Sequence, residues 1–259
     1  MINFIKENQT MIYNITLIVY ILIIIIYIYE FTKTRKTLKD SNEVIDDIIN
    51  HLSDIYDRGS LLSDRMIIEE VKKGNIYIEG FDIEKESNKH KYLGDGKYTG
   101  KLGPNGYDLT LNPKMYVYEN VTEENPLDCR KDNSLRQKEI IIPEEGYVLK
   151  PGEFYIAAVN EYTKTKKYVP ALKGRSSIAR LSMVVHKTAG FGDDGFEGRF
   201  TLEITVDKPL RVYPNMRICQ IIYMQTIGNV INEYNGKYQN SEEAVCSRIQ
   251  IDYENEGNE

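Results

Sequence analysis

Short apolar segments separated by turn residues run through most of the chain, and this pattern limits the fold more than any other feature. Two early segments, 106–111 and 115–118, alternate apolar and polar residues. Later segments of the same kind are 139–142, 147–149, 154–158, 199–206, 210–212 and 218–224. Pro143, Pro151 and Pro214 stand between some of the later ones. Many short strands with few helical patterns predict a mainly β domain of the sandwich or barrel kind.

One helix is predicted at the start of this domain. Ser63 or Asp64 can cap its N-terminus, apolar residues three and four positions apart form one face, and Gly74 ends it. The alternating segment 75–78 predicts a strand directly after this helix. The polar residues 84–102 predict an exposed loop.

An apolar run near the N-terminus predicts a membrane anchor. Residues 11–29 carry no charge, and a helix of this length nearly matches a bilayer core of about 30 Å. A buried element or a cleaved signal peptide is the alternative, but no small-residue cleavage site follows the run. Basic residues follow the run closely, whereas Lys6 alone precedes it. The expectation is a single-pass, membrane-anchored protein whose later residues lie in the cytoplasm.

The regions around this run complete the expected domain organisation. Residues 1–10 form an N-terminal tail, and 30–60 form a helical linker with apolar residues in a heptad pattern. That linker is either a short coiled coil or a membrane-proximal helix. Residues 61–250 form the β domain with a C-terminal tail, and 251–259 are expected to be an acidic disordered end.

Composition excludes several classes of protein. A net charge of -6 argues against a general nucleic-acid binder. Cys129, Cys219 and Cys246 form no CxxC pair, so a structural zinc site is not expected. The chain also lacks a glycine-rich dinucleotide fingerprint and a phosphate-binding P-loop signature.

The segment 173–206 holds the densest set of polar and charged residues among its glycines. If a short helix begins near Ser176, its amides, two hydroxyls and Arg175 form an anion site suited to phosphates. A capped surface helix is the alternative. On the predicted strand, Glu203 lies opposite the apolar face, so it either lines a pocket as a general base or points to water. Asp193 either binds a sugar hydroxyl or a metal, or is a turn residue.

Five sequence blocks in fixed order cover most of residues 62–250. They are LSDRMIIEEVKKGNIYIEGFD, GPNGYDLTL, GRSSIARLSMVVHKTAG, GFEGRFTLEI and YNGKYQNSEEAVCSRI. Taken together, they resemble the dCTP deaminase branch of the dUTPase-like superfamily. The resemblance implies a distorted jelly-roll-like, dUTPase-type β domain with short helices, here preceded by the expected transmembrane helix and helical linker. It also implies a homotrimer with active sites between neighbouring subunits.

The resemblance assigns catalytic roles to residues of the central segment. Glu203 matches the general base that takes a proton from the water attacking C4 of cytosine. Ser176 and the carbonyl of Ala189 would hold that water. Arg180 would lie beside Glu203 and stabilise its charge. No zinc is implied, and the chain lacks the signature of zinc deaminases.

Substrate contacts follow from the same resemblance. The implied substrate-binding residues are Arg175, Ser176, Ser177, Arg180, Asp193, Phe196, Thr201, Leu202, Tyr234 and Lys237. Arg175 to Ser177 would meet the triphosphate, and Tyr234 and Lys237 would close over it from the tail. Mg2+ would arrive on the triphosphate and not in a protein-held metal site. The chain departs from the family pattern at Asp194, usually proline, and at Ser241, usually glutamine.

The leading hypothesis is hydrolytic deamination of dCTP to dUTP and ammonia. A bifunctional enzyme that also cleaves the triphosphate, giving dUMP and pyrophosphate, uses the same residues. A plain dUTPase is disfavoured because it needs no glutamate at position 203. A non-catalytic, membrane-tethered nucleotide-binding protein is the hypothesis from another class. Besides dCTP, the implied nucleotide ligands are dUTP or dTTP, and no nucleic-acid partner is expected.

Overall fold

The computed structural model describes residues 17, 19–27, 61–87 and 100–256. The chain divides into two compact units, Met1–Arg58 and Gly59–Glu259. In the first unit the described residues are helical and their side chains are largely exposed. The predicted linker 30–60 and the N-terminal tail 1–10 lie outside the described residues, as do 88–99 and 257–259.

The membrane anchor predicted at 11–29 is contradicted. A bilayer core needs about 20 apolar residues in a helix. Several residues of this run lie outside the described part, and none of the helices that the structure describes is long and apolar enough to cross a membrane. The expectation of a single-pass membrane protein is therefore wrong.

The second unit consists mainly of β-strands with short helices, which confirms the predicted fold class. The helices are α1 Asp64–Lys73, α2 Ile83–Ser87, α3 Ser176–Ala179 and α4 Gln250–Glu256, and a 3-10 turn spans Ser134–Arg136. The strands are β1 Ile76–Ile78, β2 Leu102–Gly103, β3 Gly106–Tyr118, β4 Gln137–Ile141, β5 Tyr147–Leu149, β6 Tyr155–Val159, β7 Thr163–Thr165, β8 Tyr168–Gly174, β9 Met183–Val184, β10 Glu197–Gly198, β11 Thr201–Val206, β12 Leu210–Val212 and β13 Arg217–Gln225.

One large antiparallel sheet carries the candidate site. Its 8 strands include the path β8-β13-β3-β6-β11-β9, with β2 and β4 paired to β3. A second sheet has the order β1-β7-β10, and β12 pairs with β5. Strand β11 lies between β6 and β9, with Glu203 opposite Ile156 and Thr205 opposite Val184. The register therefore fixes the position of each β11 side chain relative to two neighbouring strands.

Helix α1 forms as its sequence predicts. The Ser63 hydroxyl accepts a hydrogen bond from the Met66 N–H at 3.4 Å and caps the first turn. Gly74 ends the helix with φ of 76°, where its N–H reaches the carbonyl of Val71. This left-handed conformation favours glycine, and Ile67 anchors the helix in the core with no exposed surface.

Strand β3 and the loop predicted after it differ from the sequence prediction. The two predicted strands 106–111 and 115–118 are one strand, which shifts register between Leu111 and Met115. Pro113 lies in this irregular stretch, where its carbonyl accepts from the Ile142 N–H. The predicted loop 84–102 overlaps helix α2 and strand β2, and its residues 88–99 are outside the described part.

Strand β8 is a long strand that the sequence analysis missed. Pro170 in its middle reads as a strand breaker, because proline has no N–H to donate to a ladder. The strand pairs with β13 over seven residues from Tyr168 to Gly174, and it stands at the end of the sheet path. An edge position tolerates proline, since only one side of the strand must pair fully.

The C-terminal end also differs from the sequence prediction. The sequence predicts disorder from residue 251 onward, but helix α4 spans Gln250–Glu256. The described part of this end reaches residue 256. Helix α4 contributes Ile251 and Asp252 to the candidate site.

Candidate active site

A cavity of about 770 Å3 lies beside the half-exposed face of β11. Thr201 and Glu203 of this strand line it, together with Phe154 and Ile156 from the neighbouring β6 region. The segment 189–200 and the C-terminal tail 234–252 supply most of the remaining wall, with Tyr118. Small-molecule sites commonly have volumes of about 300–1,000 Å3, so the cavity can hold a nucleotide.

Glu203 reaches the cavity because β11 alternates strictly between core and site. Leu202 and Ile204 are buried in the core, and the residues between them are half-buried. The Glu203 N–H donates to the carbonyl of Val185, and the Lys187 N–H donates to Glu203 Oε2 at 2.9 Å. Among the described residues the carboxylate accepts no other hydrogen bond, so its second oxygen is available to a ligand.

Leu202 does not line this cavity. Its side chain has no exposed surface and packs in the core cluster. The substrate contact predicted for Leu202 is therefore not one that its side chain makes in this cavity. Strand periodicity gives the reason, because neighbours of a cavity-facing residue point to the opposite side of the sheet.

An aromatic cluster forms one side of the cavity. The Phe196 ring lies 4.5 Å from the Phe200 ring and 6.0 Å from the Tyr234 ring, measured between centroids. Phe196 is buried, and all three side chains line the cavity. The structure thus brings together Phe196 and Tyr234, two predicted substrate contacts that are far apart in sequence.

Asp193 and Asp194 have different surroundings. Asp193 is exposed and lines the cavity, as its predicted contact with the sugar requires. Asp194 is buried, and its Oδ1 accepts the Lys167 N–H at 2.8 Å. Burial raises the pKa of Asp194, the Lys167 N–H opposes this effect, and the charge of Glu233 adds to it. The side chain that replaces the usual proline is therefore a structural link between this turn and residue 167.

The C-terminal tail is attached to the cavity wall by backbone contacts. The Tyr234 N–H donates to the Asp194 carbonyl at 2.7 Å, and the Arg199 N–H donates to the Ser241 carbonyl at 2.7 Å. Ser241 is buried, and its hydroxyl donates to the carbonyl of Tyr238 within the tail. At this position the residue that replaces the usual glutamine stabilises the tail itself.

Gln239 makes a further link between the tail and strand β10. Its side-chain amide donates to the Gly195 carbonyl at 2.8 Å and accepts the Glu197 N–H at 3.0 Å. The Val245 N–H also donates to the Thr201 hydroxyl at 3.1 Å. These contacts fix the tail against the body of the chain.

Lys237, a predicted substrate contact, lines the cavity from this tail. Its ammonium lies 2.5 Å from Asp252 Oδ2. Arg248 holds the same turn, because its guanidinium donates to the Lys237 carbonyl at 2.5 Å and its N–H donates to the Tyr238 hydroxyl at 3.1 Å. The Tyr234 hydroxyl accepts the Tyr238 N–H at 3.2 Å, so Tyr234 contributes to the turn as well as to the wall.

The residues of the predicted anion-binding site lie outside the cavity of their own chain. Helix α3 begins at Ser176, as the sequence predicts, with Ser176, Ser177 and Arg180 exposed. None of these three residues, nor Arg175, lines the cavity within the described part of the chain. A single chain therefore brings together Glu203, Ala189, Asp193, Phe196, Thr201, Tyr234 and Lys237, but not the residues of α3.

Arg175 is held by a buried carboxylate. Its guanidinium lies 3.2 Å from Asp108 Oδ2, and that of Arg217 lies 3.3 Å from the same oxygen. The Asp108 side chain is 4% exposed, whereas that of Arg175 is 30% exposed. Asp108 therefore orients Arg175 from the core side and leaves part of the guanidinium accessible.

Several cavity residues escaped the sequence analysis. Phe154, Ile156, Tyr118 and Asp252 line the site without belonging to any motif. Ile156 could have been found only from its pairing with Glu203, which depends on knowing the strand order. Across the described residues, no group of three or more His, Cys, Asp or Glu side chains is arranged to hold a metal ion.

Comparisons with known proteins identify the family of this domain. The model of the dCTP deaminase-like family matches residues 61–226, well over half of the chain. The chain therefore belongs to the dCTP deaminase-like family.

Individual relatives share much of this region. A protein of Hathewaya histolytica named dCTP deaminase, dUMP-forming, is 43% identical over 177 residues, which are 68% of this chain and 99% of the relative. A protein of Clostridium beijerinckii with the same name is 42% identical over 194 residues, 75% of this chain and 99% of the relative. A solved 2'-deoxycytidine 5'-triphosphate deaminase from Agrobacterium tumefaciens has a TM-score of 0.47 and 20% identity, covering 64% of this chain and 48% of that chain.

Proposed function

We propose that this chain is a bifunctional enzyme that converts dCTP to dUMP. The relatives named dUMP-forming support this reaction over release of dUTP. In balance, dCTP and two waters give dUMP, ammonia and pyrophosphate. The observation that carries the proposal is the Glu203 carboxylate, which is fixed at the wall of a nucleotide-sized cavity.

Glu203 is the proposed general base of the deamination. It takes a proton from a water molecule as the oxygen of that water attacks C4 of cytosine. The proton passes to N3 of the ring, and a second proton transfer converts the amino group into ammonia, which leaves. The Lys187 N–H supports this role because it fixes one carboxylate oxygen and leaves the other for the water.

We further propose that each site is completed by a neighbouring subunit of a homotrimer with distorted jelly-roll-like, dUTPase-type subunits. Arg175, Ser176, Ser177 and Arg180 are solvent-accessible and lie outside the cavity of their own chain. Supplied by a neighbour, Ser176 would join the Ala189 carbonyl in holding the water, and Arg180 would lie beside Glu203. The remaining residues would meet the triphosphate with charge-assisted hydrogen bonds.

The cavity's own residues fit the rest of the nucleotide. Asp193 is proposed to bind the deoxyribose hydroxyl and Phe196 to pack against the sugar, while Lys237 and Tyr234 lie near the phosphates. Mg2+ would be bound through the phosphate oxygens, where it neutralises charge.

A product assay tests the proposal. The full chain is incubated with dCTP and Mg2+, and ammonia, dUTP, dUMP and pyrophosphate are followed together. Equal amounts of ammonia, dUMP and pyrophosphate, without accumulating dUTP, are expected. Accumulation of dUTP would instead indicate a deaminase only, and dCTP binding without any product would indicate a non-catalytic nucleotide-binding protein.

A further inference from the structure

An ion pair inside the candidate site joins two residues of the tail. Lys237 Nζ lies 2.5 Å from Asp252 Oδ2, and both side chains line the cavity. The Lys237 side chain is 25% exposed and that of Asp252 is 56% exposed. Lys237, through which the tail is proposed to contact a triphosphate, is therefore already paired with a carboxylate.

The surroundings of this pair make it a defined contact. Asp252 lies in helix α4, and Ile251 of the same helix also lines the cavity. Arg248, just before α4, donates to the Lys237 carbonyl at 2.5 Å and to the Tyr238 hydroxyl at 3.1 Å. The two hydrogen bonds of Arg248 and the ion pair of Asp252 thus hold the start of α4 beside the turn that carries Lys237.

We infer that Asp252 competes with the phosphates of the nucleotide for Lys237, so that the tail itself lowers the affinity of the site for the nucleotide. The inference rests on the proposed function, in which Lys237 contacts the triphosphate. A triphosphate carries several negative charges and Asp252 carries one, so the nucleotide replaces the carboxylate when it binds. Helix α4 then releases Lys237, and the free energy of the ion pair is subtracted from that of nucleotide binding.

This competition depends on phosphate. Every ligand that contacts Lys237 must break the ion pair, and its affinity falls by the same factor. Deoxycytidine has no phosphate, so its affinity is independent of Asp252. Exposed ion pairs contribute roughly 0.2–1 kcal/mol, which corresponds to a factor of about 1.5 to 5 in affinity.

The test compares the parent chain with Asp252→Asn by calorimetry at low ionic strength, where exposed charges are least screened. The ligands are inorganic tripolyphosphate, dCTP and deoxycytidine, each with Mg2+. The variant is expected to bind tripolyphosphate and dCTP about 1.5 to 5 times more tightly, with deoxycytidine unchanged. In the Lys237→Ala background, Asp252→Asn is expected to have no effect on any of the three ligands.

Glu254→Gln is the matched control, since it removes one negative charge from the same helix two residues away. Equal tightening by both variants would overturn the inference, because a general charge effect would then suffice. Unchanged or weaker tripolyphosphate binding by Asp252→Asn would overturn it too. Normal dUMP formation with either result would leave the proposed function intact.

The two proposals fail in different ways. Tripolyphosphate binding that tightens in Asp252→Asn, with no product from dCTP, would reject the enzymatic function and retain the competition at Lys237. Absence of tripolyphosphate and dCTP binding in the parent and in the variant would reject both.

Discussion

Glu203 Oε2 accepts a hydrogen bond from the backbone N–H of Lys187 at 2.9 Å. The segment that carries this donor is fixed by the pairing of β9 with β11 and by the bond from the Glu203 N–H to the Val185 carbonyl. The donor is a main-chain group, so it is present with any residue except proline at position 187. The carboxylate is thus oriented by the backbone of the sheet.

The first prediction concerns this carboxylate. Glu203→Gln keeps an oxygen for the Lys187 N–H but removes the proton acceptor. Since general-base catalysis contributes a factor of about 10²–10⁴, kcat for ammonia release should fall by that factor while dCTP affinity stays near the parent value. Single-turnover assays and calorimetry measure the two quantities.

Glu144→Gln serves as its control, because Glu144 is exposed in a turn and lies outside the cavity. It should leave both quantities unchanged. Ammonia release at the parent rate in Glu203→Gln would reject Glu203 as the base.

The second prediction concerns Leu202, the neighbour of Glu203 in strand β11. Leu202 has no exposed surface, so Leu202→Ala leaves a core cavity and should lower the free energy of unfolding by about 2–5 kcal/mol. The folded variant should bind dCTP as the parent does, since the side chain points away from the cavity. Thr205→Ala, on the half-exposed face, should cost less than about 1 kcal/mol. Urea unfolding measures the stability of both variants. A Leu202→Ala variant that loses dCTP affinity but keeps the parent stability would contradict the placement of this side chain in the core.

The fold was predictable where the signal is local. Helix α1 carries its own cap at Ser63 and its own stop at Gly74, and β11 alternates cleanly. Strand β8 was not predictable, since Pro170 is acceptable only because the strand stands at the edge of the sheet path. The membrane prediction was wrong. Composition identifies an apolar run, whereas none of the helices that the structure describes is long and apolar enough to cross a membrane.

The site was predictable only in part. Alternation alone left Glu203 undecided between a general base and a solvated side chain, and five ordered sequence blocks provided the assignment. The ion pairs of Arg175 with Asp108 and of Lys237 with Asp252 have no sequence signature. Each depends on tertiary packing that brings separate elements together, and so does the pairing of Ile156 with Glu203.

The third prediction uses the buried Asp194. Burial raises its pKa above that of the unfolded chain, about 3.9, so the folded protein binds this proton more readily. The contribution of Asp194 to stability therefore falls as pH rises from the unfolded pKa through the folded pKa. Asp194→Asn keeps the acceptor for the Lys167 N–H without a charge, so it should be more stable than the parent at pH 7.

Urea unfolding between pH 3 and 7 measures this difference, which should shrink on acidification and be smallest below the unfolded pKa of about 3.9. Asp193→Asn is the control, because Asp193 is exposed and its neutralisation removes the same charge. A parent and an Asp194→Asn variant with equal pH dependence would contradict the argument.

The last prediction concerns the close approach of the tail to Gly195. This glycine has φ of 93°, and a Cβ added there would lie 2.6 Å from the Glu233 Cβ and 2.8 Å from the Tyr234 backbone nitrogen. Gly195→Ala should therefore push the tail away, raise KM for dCTP severalfold and expose residues 234–252 to proteases. Gly152→Ala has similar backbone strain at φ of 83° but meets no atom within 4 Å, so it should keep the parent KM and protease resistance. Equal behaviour of the two variants would show that the site does not depend on this contact.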